Sequence, residues 1–223
     1  MRRNFYEILN ASQLNLRTEY ERIYSILFCA KYFRTPIIDI ISENFDFLPE
    51  YIRGRTLSLG DFNETYEFNF AVIPATSCVD DIISICEYGW NLCSSVQKYA
   101  YNMNDQDSYD INQALRIIDT TIRALYHKPI VKDKITIFVP EKQDVVAVAE
   151  FVETEVALNI LEYNHYTLKG KLAKKKAILQ IMANNIEPQR KTLNSINRTL
   201  ADNLFQMFQK FKMFQKTKNP AKK

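Results

Sequence analysis

The chain has 223 residues, of which 47% are hydrophobic and 25% are charged, and its formal net charge is +3. This apolar fraction excludes a disordered chain, and only 4 Gly and 7 Pro exclude collagen-like and linker-rich proteins. No Gly-rich phosphate loop occurs, and no apolar run approaches the roughly 18 residues of a membrane helix. We therefore expect a globular protein with no membrane span, long enough for one large domain or two small ones.

The first third of the chain mixes two periodicities. Apolar residues at helical spacing predict a helix from Leu14 to about Phe33, and Thr35-Pro36 predicts the start of a second helix. Residues 55–73 alternate with a period of two around Gly60-Asp61, which is typical of a β-hairpin. Together with a strand at 134–139, this segment predicts a small antiparallel β insertion.

The remaining segments favour helices. Two long helices, from Ser77 to about Tyr101 and from Ser108 to His127, carry apolar stripes, and a third opens at Pro140-Glu141. The last sixty residues predict two or three more. The predicted fold class is therefore mainly α, a multi-helix compact domain over 1–216 that is followed by a flexible Lys-rich tail at 217–223.

The charges are distributed unevenly along the chain. Residues 164–223 contain fourteen Lys or Arg against two acidic residues, which gives +12 and leaves −9 for residues 1–163. We call 1–163 the acidic part and 164–216 the basic part. Such asymmetry points to a polyanion partner, or to contact between acidic and basic surfaces within the chain or between protomers.

Phosphate binding is one interpretation of the basic part. Lysine and arginine side chains bind the backbone of RNA or another nucleic acid, and phenylalanine rings among them stack on bases. The alternative is a solvated lysine face above a buried phenylalanine stripe. The candidate nucleic-acid-binding residues are Lys169, Lys171, Lys174, Lys175, Lys176, Arg190 and Lys191, and the candidate stacking residues are Phe205, Phe208, Phe211 and Phe214.

The cysteines indicate neither disulfides nor a metal site. Cys78, Cys86 and Cys93 share one predicted helix, where seven residues span about 10.5 Å, and bridged Cα atoms must lie within about 7 Å. No Cys or His stands at the spacing of a zinc site. We therefore expect buried thiols, no metal and no cofactor. Unbridged cysteines, and an N-terminus without the apolar core of a signal peptide, predict a cytoplasmic protein.

One pair of residues suggests catalysis. His127 follows Arg123 by four positions, so on one helix they would share a face. A general base beside a cation that stabilises developing phosphate charge is the minimum for metal-independent RNA cleavage. The alternative is an exposed polar face, with Asp119 paired to Arg123 and a histidine favoured by the helix dipole.

The stretch from Leu161 to Phe208 resembles helical proteins of bacterial abortive-infection systems, many of which belong to the HEPN class. The resemblance rests on Glu187-Pro188-Gln189-Arg190-Lys191 and on Leu200-Ala201-Asp202-Asn203-Leu204-Phe205. It implies a compact helical fold that is often dimeric, and an RNase whose Arg and His meet at the dimer interface. Three residues separate Arg123 from His127, one fewer than the shortest spacing in that class.

Two functional hypotheses follow. The first is a HEPN-like phage-defence protein that binds or cleaves RNA, with Arg123 and His127 as catalytic residues. The second is a non-catalytic helical module that binds nucleic acid or a partner protein through its basic helices. A homo-oligomer, assembled acidic part against basic part, is compatible with either hypothesis.

Overall fold

The computed structural model describes residues 15–70, 78–101, 103–141 and 154–216, with side chains for all of these except 155, 200 and 211–216. The described helices and strands up to residue 140 are α1 Leu16–Phe28, α2 Ile37–Glu43, α3 Glu50–Arg53, α4 Leu59–Thr65, α5 Val79–Tyr99, α6 Asp105–Ala124, β1 His127–Lys132 and β2 Ile135–Pro140. Those that follow are α7 Thr154–Glu162, α8 Leu172–Ile186, α9 Arg190–Ile196 and α10 Arg198–Lys216.

The fold is mainly helical with a small two-stranded antiparallel sheet, which confirms the predicted fold class. The chain divides into two compact units, Met1–Phe138 and Val139–Lys223. A single domain over 1–216 therefore stays a prediction. The predicted Ser77 cap, the helix start just after Pro140-Glu141 and the tail at 217–223 fall largely outside the described residues.

The predicted hairpin at 55–73 is wrong where the structure describes it. Residues 59–65 form helix α4, because Ser58 caps it by accepting a hydrogen bond from the Asp61 backbone N–H at 3.1 Å. Leu59 and Phe62, three positions apart, then lie on one buried face. The alternating pattern arises from leucines at the start of the helix and from aromatic residues that follow it.

The first unit is built around α5. This helix packs against α1 and α6, and its buried positions supply Ile82, Ile85, Cys86, Leu92 and Val96 to the core. Side chains from both neighbouring helices pack directly on Gly89. A Cβ atom there would lie 2.9 Å from Leu27 Cδ1 and 3.2 Å from Ile118 Cδ1, both on fully buried side chains. Glycine at this position therefore lets three helices share one tight core.

Burial also distinguishes the cysteines. Cys86 and Cys93 are buried as expected, and burial raises the pKa of the Cys93 thiol to about 12. Cys78 is exposed and Cys29 is half-buried, so the expectation of buried thiols is wrong for these two. All four are unbridged.

A polar cap begins helix α6, and a residue with a strained backbone follows its end. The Asn104 side chain caps it by accepting from the Asp107 backbone N–H at 2.8 Å, so it begins before the predicted Ser108. It ends at Ala124, before the predicted His127, because Tyr126 adopts a left-handed φ of 56° and turns the chain into β1. Tyrosine rarely occupies this region, so the sequence gives little warning of the break.

Strand β2 is held against α5 by two helix side chains. Asn91 Oδ1 accepts from the Thr136 N–H and Asn91 Nδ2 donates to the Thr136 carbonyl, each at 2.8 Å. Glu87 Oε1 accepts from the Phe138 N–H at 2.7 Å. These side chains satisfy backbone groups that an edge strand would otherwise expose.

The turn between β1 and β2 has two residues, Asp133 and Lys134, with φ of 50° and 69°. Turns of this length favour Asn-Gly or Asp-Gly, because both residues require positive φ. A lysine instead of glycine costs about 1–2 kcal/mol in this conformation.

The second unit has its own small core. Ala183 of α8 and Ala201, Phe205 and Phe208 of α10 are buried together, and Leu193 of α9 packs against them. Two of the phenylalanines predicted to stack on bases are therefore core residues.

Substitution of Gly89 tests the close packing of α5. Gly89→Ala should lower the free energy of unfolding by about 1–2 kcal/mol, because overpacking of the core outweighs the helix propensity gained. The matched control is Gly60→Ala on α4, where the new Cβ meets only Ser58 Oγ at 3.8 Å. That change should raise stability by about 0.5–1 kcal/mol. Urea unfolding of both variants measures the difference, and equal shifts would contradict the packing described here.

Candidate nucleic-acid interface

The seven predicted basic residues lie around the two ends of helix α8. Lys169 follows a short 3-10 turn, Lys171 precedes the first helical residue, and Lys174, Lys175 and Lys176 occupy the first turns. Arg190 and Lys191 lie beyond the other end, at the start of α9. A fifteen-residue helix is about 22 Å long, so these are two separate groups of charge.

The group at the start of α8 surrounds its first turns. Lys174 and Lys175 lie three and four positions after Lys171, which brings each of them near the Lys171 side chain. The first turn of α8 contains no acidic residue. Cations at this end of a helix are disfavoured by the macrodipole, so the arrangement does not stabilise the helix.

Two of the basic side chains contact aromatic rings. Lys175 Nζ lies 4.7 Å from the centroid of Tyr163, and the Arg190 guanidinium carbon lies 4.7 Å from the centroid of Phe205. Lys175 is half-buried, whereas Arg190 remains exposed. These cation–π contacts hold two cations in place and keep their charge.

Two lysines of the α8 group face solvent. Lys171 and Lys174 are exposed, and no acidic side chain in the described ranges forms an ion pair with either of them. One ion pair within this unit joins Arg198 to Asp202 at 3.8 Å, between exposed side chains. Local ion pairs therefore leave these two lysine charges available to an external anion.

The predicted stacking residues do not form a stacking surface. Phe205 and Phe208 are only 4% and 8% exposed, because they complete the core of the second unit. The side chains of Phe211 and Phe214 lie outside the described part of the chain. The prediction of base stacking is therefore wrong for the first two residues and stays a prediction for the others.

The helical relationship predicted between Arg123 and His127 is also wrong. Arg123 is the penultimate residue of α6, whereas His127 is the first residue of β1, and the left-handed Tyr126 lies between them. The Arg123 Nε atom donates to Asp119 Oδ2 at 2.8 Å, as the structural alternative predicted. A catalytic role for either residue stays a prediction, because the shared helix face that suggested it does not exist.

His127 has a defined hydrogen bond nonetheless. Its Nδ1 atom lies 2.7 Å from the carbonyl oxygen of Leu125. A carbonyl can only accept, so Nδ1 is the protonated nitrogen and Nε2 bears the lone pair of the neutral ring.

Sequence reasoning missed a cluster of tyrosine and lysine in the first unit. Tyr51 of α3 and Tyr99 of α5 bring their hydroxyl oxygens within 3.1 Å of each other. Lys134 Nζ lies 5.1 Å from the Tyr51 ring centroid, and Lys98 Nζ lies 5.1 Å from that of Tyr99. No motif links residues this far apart in the chain, and the unusual lysine in the β-turn is a signal only once the turn is known.

The positive charges of this cluster affect the ionisation of its tyrosines. The hydrogen bond with Tyr51 and the charges of Lys98 and Lys134 lower the pKa of Tyr99. The same hydrogen bond raises the pKa of Tyr51. The pair therefore stabilises negative charge on Tyr99.

Comparisons of the chain with protein-family models, with curated proteins and with solved structures found no match. The resemblance to the HEPN class therefore stays a prediction. None of the helices in the described ranges combines the length and apolar character needed to cross a bilayer. Within the same ranges, no group of three or more His, Cys, Asp or Glu side chains is placed to hold a metal ion.

The tyrosine pair makes a testable titration prediction. Tyr99 should ionise below the ordinary tyrosine pKa of about 10, and Tyr51→Phe should move its ionisation to higher pH by removing the hydrogen bond. Carbon-13 NMR of the tyrosine rings against pH, assigned with Tyr99→Phe, measures this shift. Tyr109→Phe on α6 is the control, and a Tyr99 titration unchanged by Tyr51→Phe would contradict the hydrogen bond.

Proposed function

We propose that the protein binds RNA or another nucleic acid through its basic part, with the lysines at the start of α8 contacting the phosphate backbone. The observation that supports this proposal is that Lys171 and Lys174 are exposed and have no acidic partner among the described residues. Phosphates would neutralise these charges and release the counterions condensed on the nucleic acid.

A purely structural role explains the lysines less well. Exposed ion pairs contribute little stability, and the long Arg198–Asp202 contact in this unit is of that kind. Placing lysines at a helix N-terminus costs about 0.3–1 kcal/mol each, whereas an anion bound there is stabilised by the same dipole. An external anion would therefore offset a cost that no acidic side chain in the described ranges offsets at Lys171 and Lys174.

The resemblance to abortive-infection proteins adds a biological setting to this proposal. A HEPN-like phage-defence protein acts on RNA, and such a role is compatible with a mainly helical fold. The broken helix between Arg123 and His127 favours binding over the cleavage mechanism of that class. We therefore place RNA binding first and RNA cleavage second.

Binding through phosphates predicts a salt dependence that two lysines control. Lys171→Ala combined with Lys174→Ala should weaken RNA binding and reduce the slope of log K against log salt by about 1.4, or about 0.7 per lost phosphate contact. Fluorescence anisotropy with labelled RNA at several salt concentrations measures the slope. The matched control is Lys31→Ala with Arg34→Ala, which removes two exposed cations from the first unit.

The proposal predicts that the two double variants differ in the slope of log K against log salt. Equal slopes for both would exclude the α8 lysines as the phosphate contacts. Absence of RNA binding by the wild-type protein would overturn the proposal and favour a protein partner for the basic part.

Metal-independent RNA cleavage is the second candidate, and the His127 hydrogen bond favours it. Because Nδ1 donates to the Leu125 carbonyl, a neutral His127 carries its basic lone pair on Nε2, as a general base requires. Arg123 would then stabilise developing charge on the phosphate, in exchange for its contact with Asp119.

Cleavage of labelled total RNA in the presence of a chelator tests this candidate. His127→Ala should abolish cleavage, and Arg123→Ala should reduce it, typically by a factor of about 10² or more for loss of one stabilising donor. Lys128→Ala removes the charge next to His127 in the strand and should leave cleavage unchanged. Cleavage that survives in His127→Ala would assign the activity to another residue or to a contaminant.

A further inference from the structure

A pair of aromatic contacts covers one surface of the first unit. Tyr51 and Tyr99 meet at their hydroxyls, and next to them Phe47 and Tyr101 meet edge to face with centroids 6.4 Å apart. Two of these residues come from the segment around α3, and the other two come from the end of α5. We call Phe47, Tyr51, Tyr99 and Tyr101, together with Lys98 and Lys134, the tyrosine face.

The rings of the tyrosine face are unusually accessible. Tyr101 is 85% exposed, and Phe47 and Tyr51 are 41% and 39% exposed. Large aromatic side chains normally bury most of their surface, and Tyr101 gains almost nothing from folding. Several exposed rings beside one another mark a binding surface more often than isolated ones do.

Two lysines bring positive charge to these rings. Lys98 adjoins Tyr99 on α5, and Lys134 reaches Tyr51 from the tip of the β1–β2 turn. Lys134 holds the left-handed conformation, which glycine adopts without strain. Strain of this kind at a surface turn points to a role for the side chain itself.

An open cavity adjoins the same surface. Tyr51 lines a space of about 750 Å³, and Arg55, Thr56 and Tyr66 form part of its other walls. The volume is within the range of small-molecule sites. Glu50 and Asp61 also line this space, so the surface is not a uniform field of positive charge.

We propose that the tyrosine face binds a single-stranded nucleic acid, with a base stacked on Tyr101 and a phosphate between Lys98 and Lys134. Exposed aromatic rings beside lysines are the arrangement that binds single strands, because every base has a face that can stack. A duplex keeps its bases stacked on one another, so it would not use the rings. The inference rests on the proposed function for its ligand class and adds the single-stranded form.

The acidic neighbours give this site a signature of its own. Glu50 and Asp61 limit the electrostatic attraction, so stacking supplies much of the affinity. Binding at the tyrosine face should therefore persist at salt concentrations that remove binding through the lysines of α8.

Anisotropy of a labelled oligouridylate of about ten nucleotides, measured with the full chain at moderate and at high salt, tests the inference. At high salt, Tyr101→Ala should weaken binding about tenfold or more, and Tyr101→Phe should retain it. Tyr109→Ala, which removes a tyrosine that is 57% exposed on α6, is the matched control and should bind like the wild type.

Lys134→Gly separates binding from folding. This change should raise the urea midpoint, because glycine suits the turn, and should weaken oligonucleotide binding at the same time. A variant that is more stable but binds less cannot be explained by partial unfolding. An RNA duplex of the same length should bind at high salt at least tenfold more weakly than the single strand.

The outcomes distinguish the two proposals. If Tyr101→Ala and Lys134→Gly bind like the wild type while the Lys171 and Lys174 variant does not, the tyrosine face is excluded and the proposed function stands. The reverse result would move the nucleic-acid site to the first unit. Equal affinity for single strand and duplex at high salt, or no binding to either, would overturn the inference.

Discussion

The first unit depends on the absence of a side chain at Gly89. Leu27 of α1 and Ile118 of α6 extend their methyl groups to within about 3 Å of the place where a Cβ would be. Glycine in mid-helix sacrifices about 1 kcal/mol of helix propensity, which close packing of three helices offsets. With α5 fixed between α1 and α6, its polar side chains and its C-terminal end acquire defined positions. The contacts with strand β2 and the tyrosine face both depend on these positions.

Side chains of α5 also fix the position of the small sheet. A two-stranded hairpin is only marginally stable alone, so the bonds from Asn91 and Glu87 to the β2 backbone matter. They hold the hairpin so that its strained turn brings Lys134 to Tyr51. Tyr99 lies on the same helix, about two turns beyond Asn91. The tyrosine face is therefore a consequence of the packing of α5, although none of its residues belongs to the core.

The sequence predicts the long helices and fails at their ends. Apolar stripes at helical spacing identify α5 and α6, because most of each helix is decided by burial of one face. The end of α6 is decided instead by Tyr126, which adopts a conformation that its residue type disfavours. At 55–73 the alternating pattern competes with a Ser58 cap and with burial of Leu59 and Phe62, and the helix prevails. Local pattern alone cannot rank competing contributions of similar size.

The candidate sites likewise divide into features that local sequence shows and features that only the fold brings together. The basic residues are visible in the sequence because they are clustered along it, whereas Tyr51 and Tyr99 are joined only by the fold. Burial reverses the expected role of Phe205, because its ring completes the small core of the second unit. Stacking on bases requires rings that are not buried in the core. The first unit, which has the larger core, leaves the rings of Phe47 and Tyr101 exposed. In the proposed function, lysine charge alone would attract any polyanion, and exposed rings beside the end of α5 would add discrimination between single and double strands.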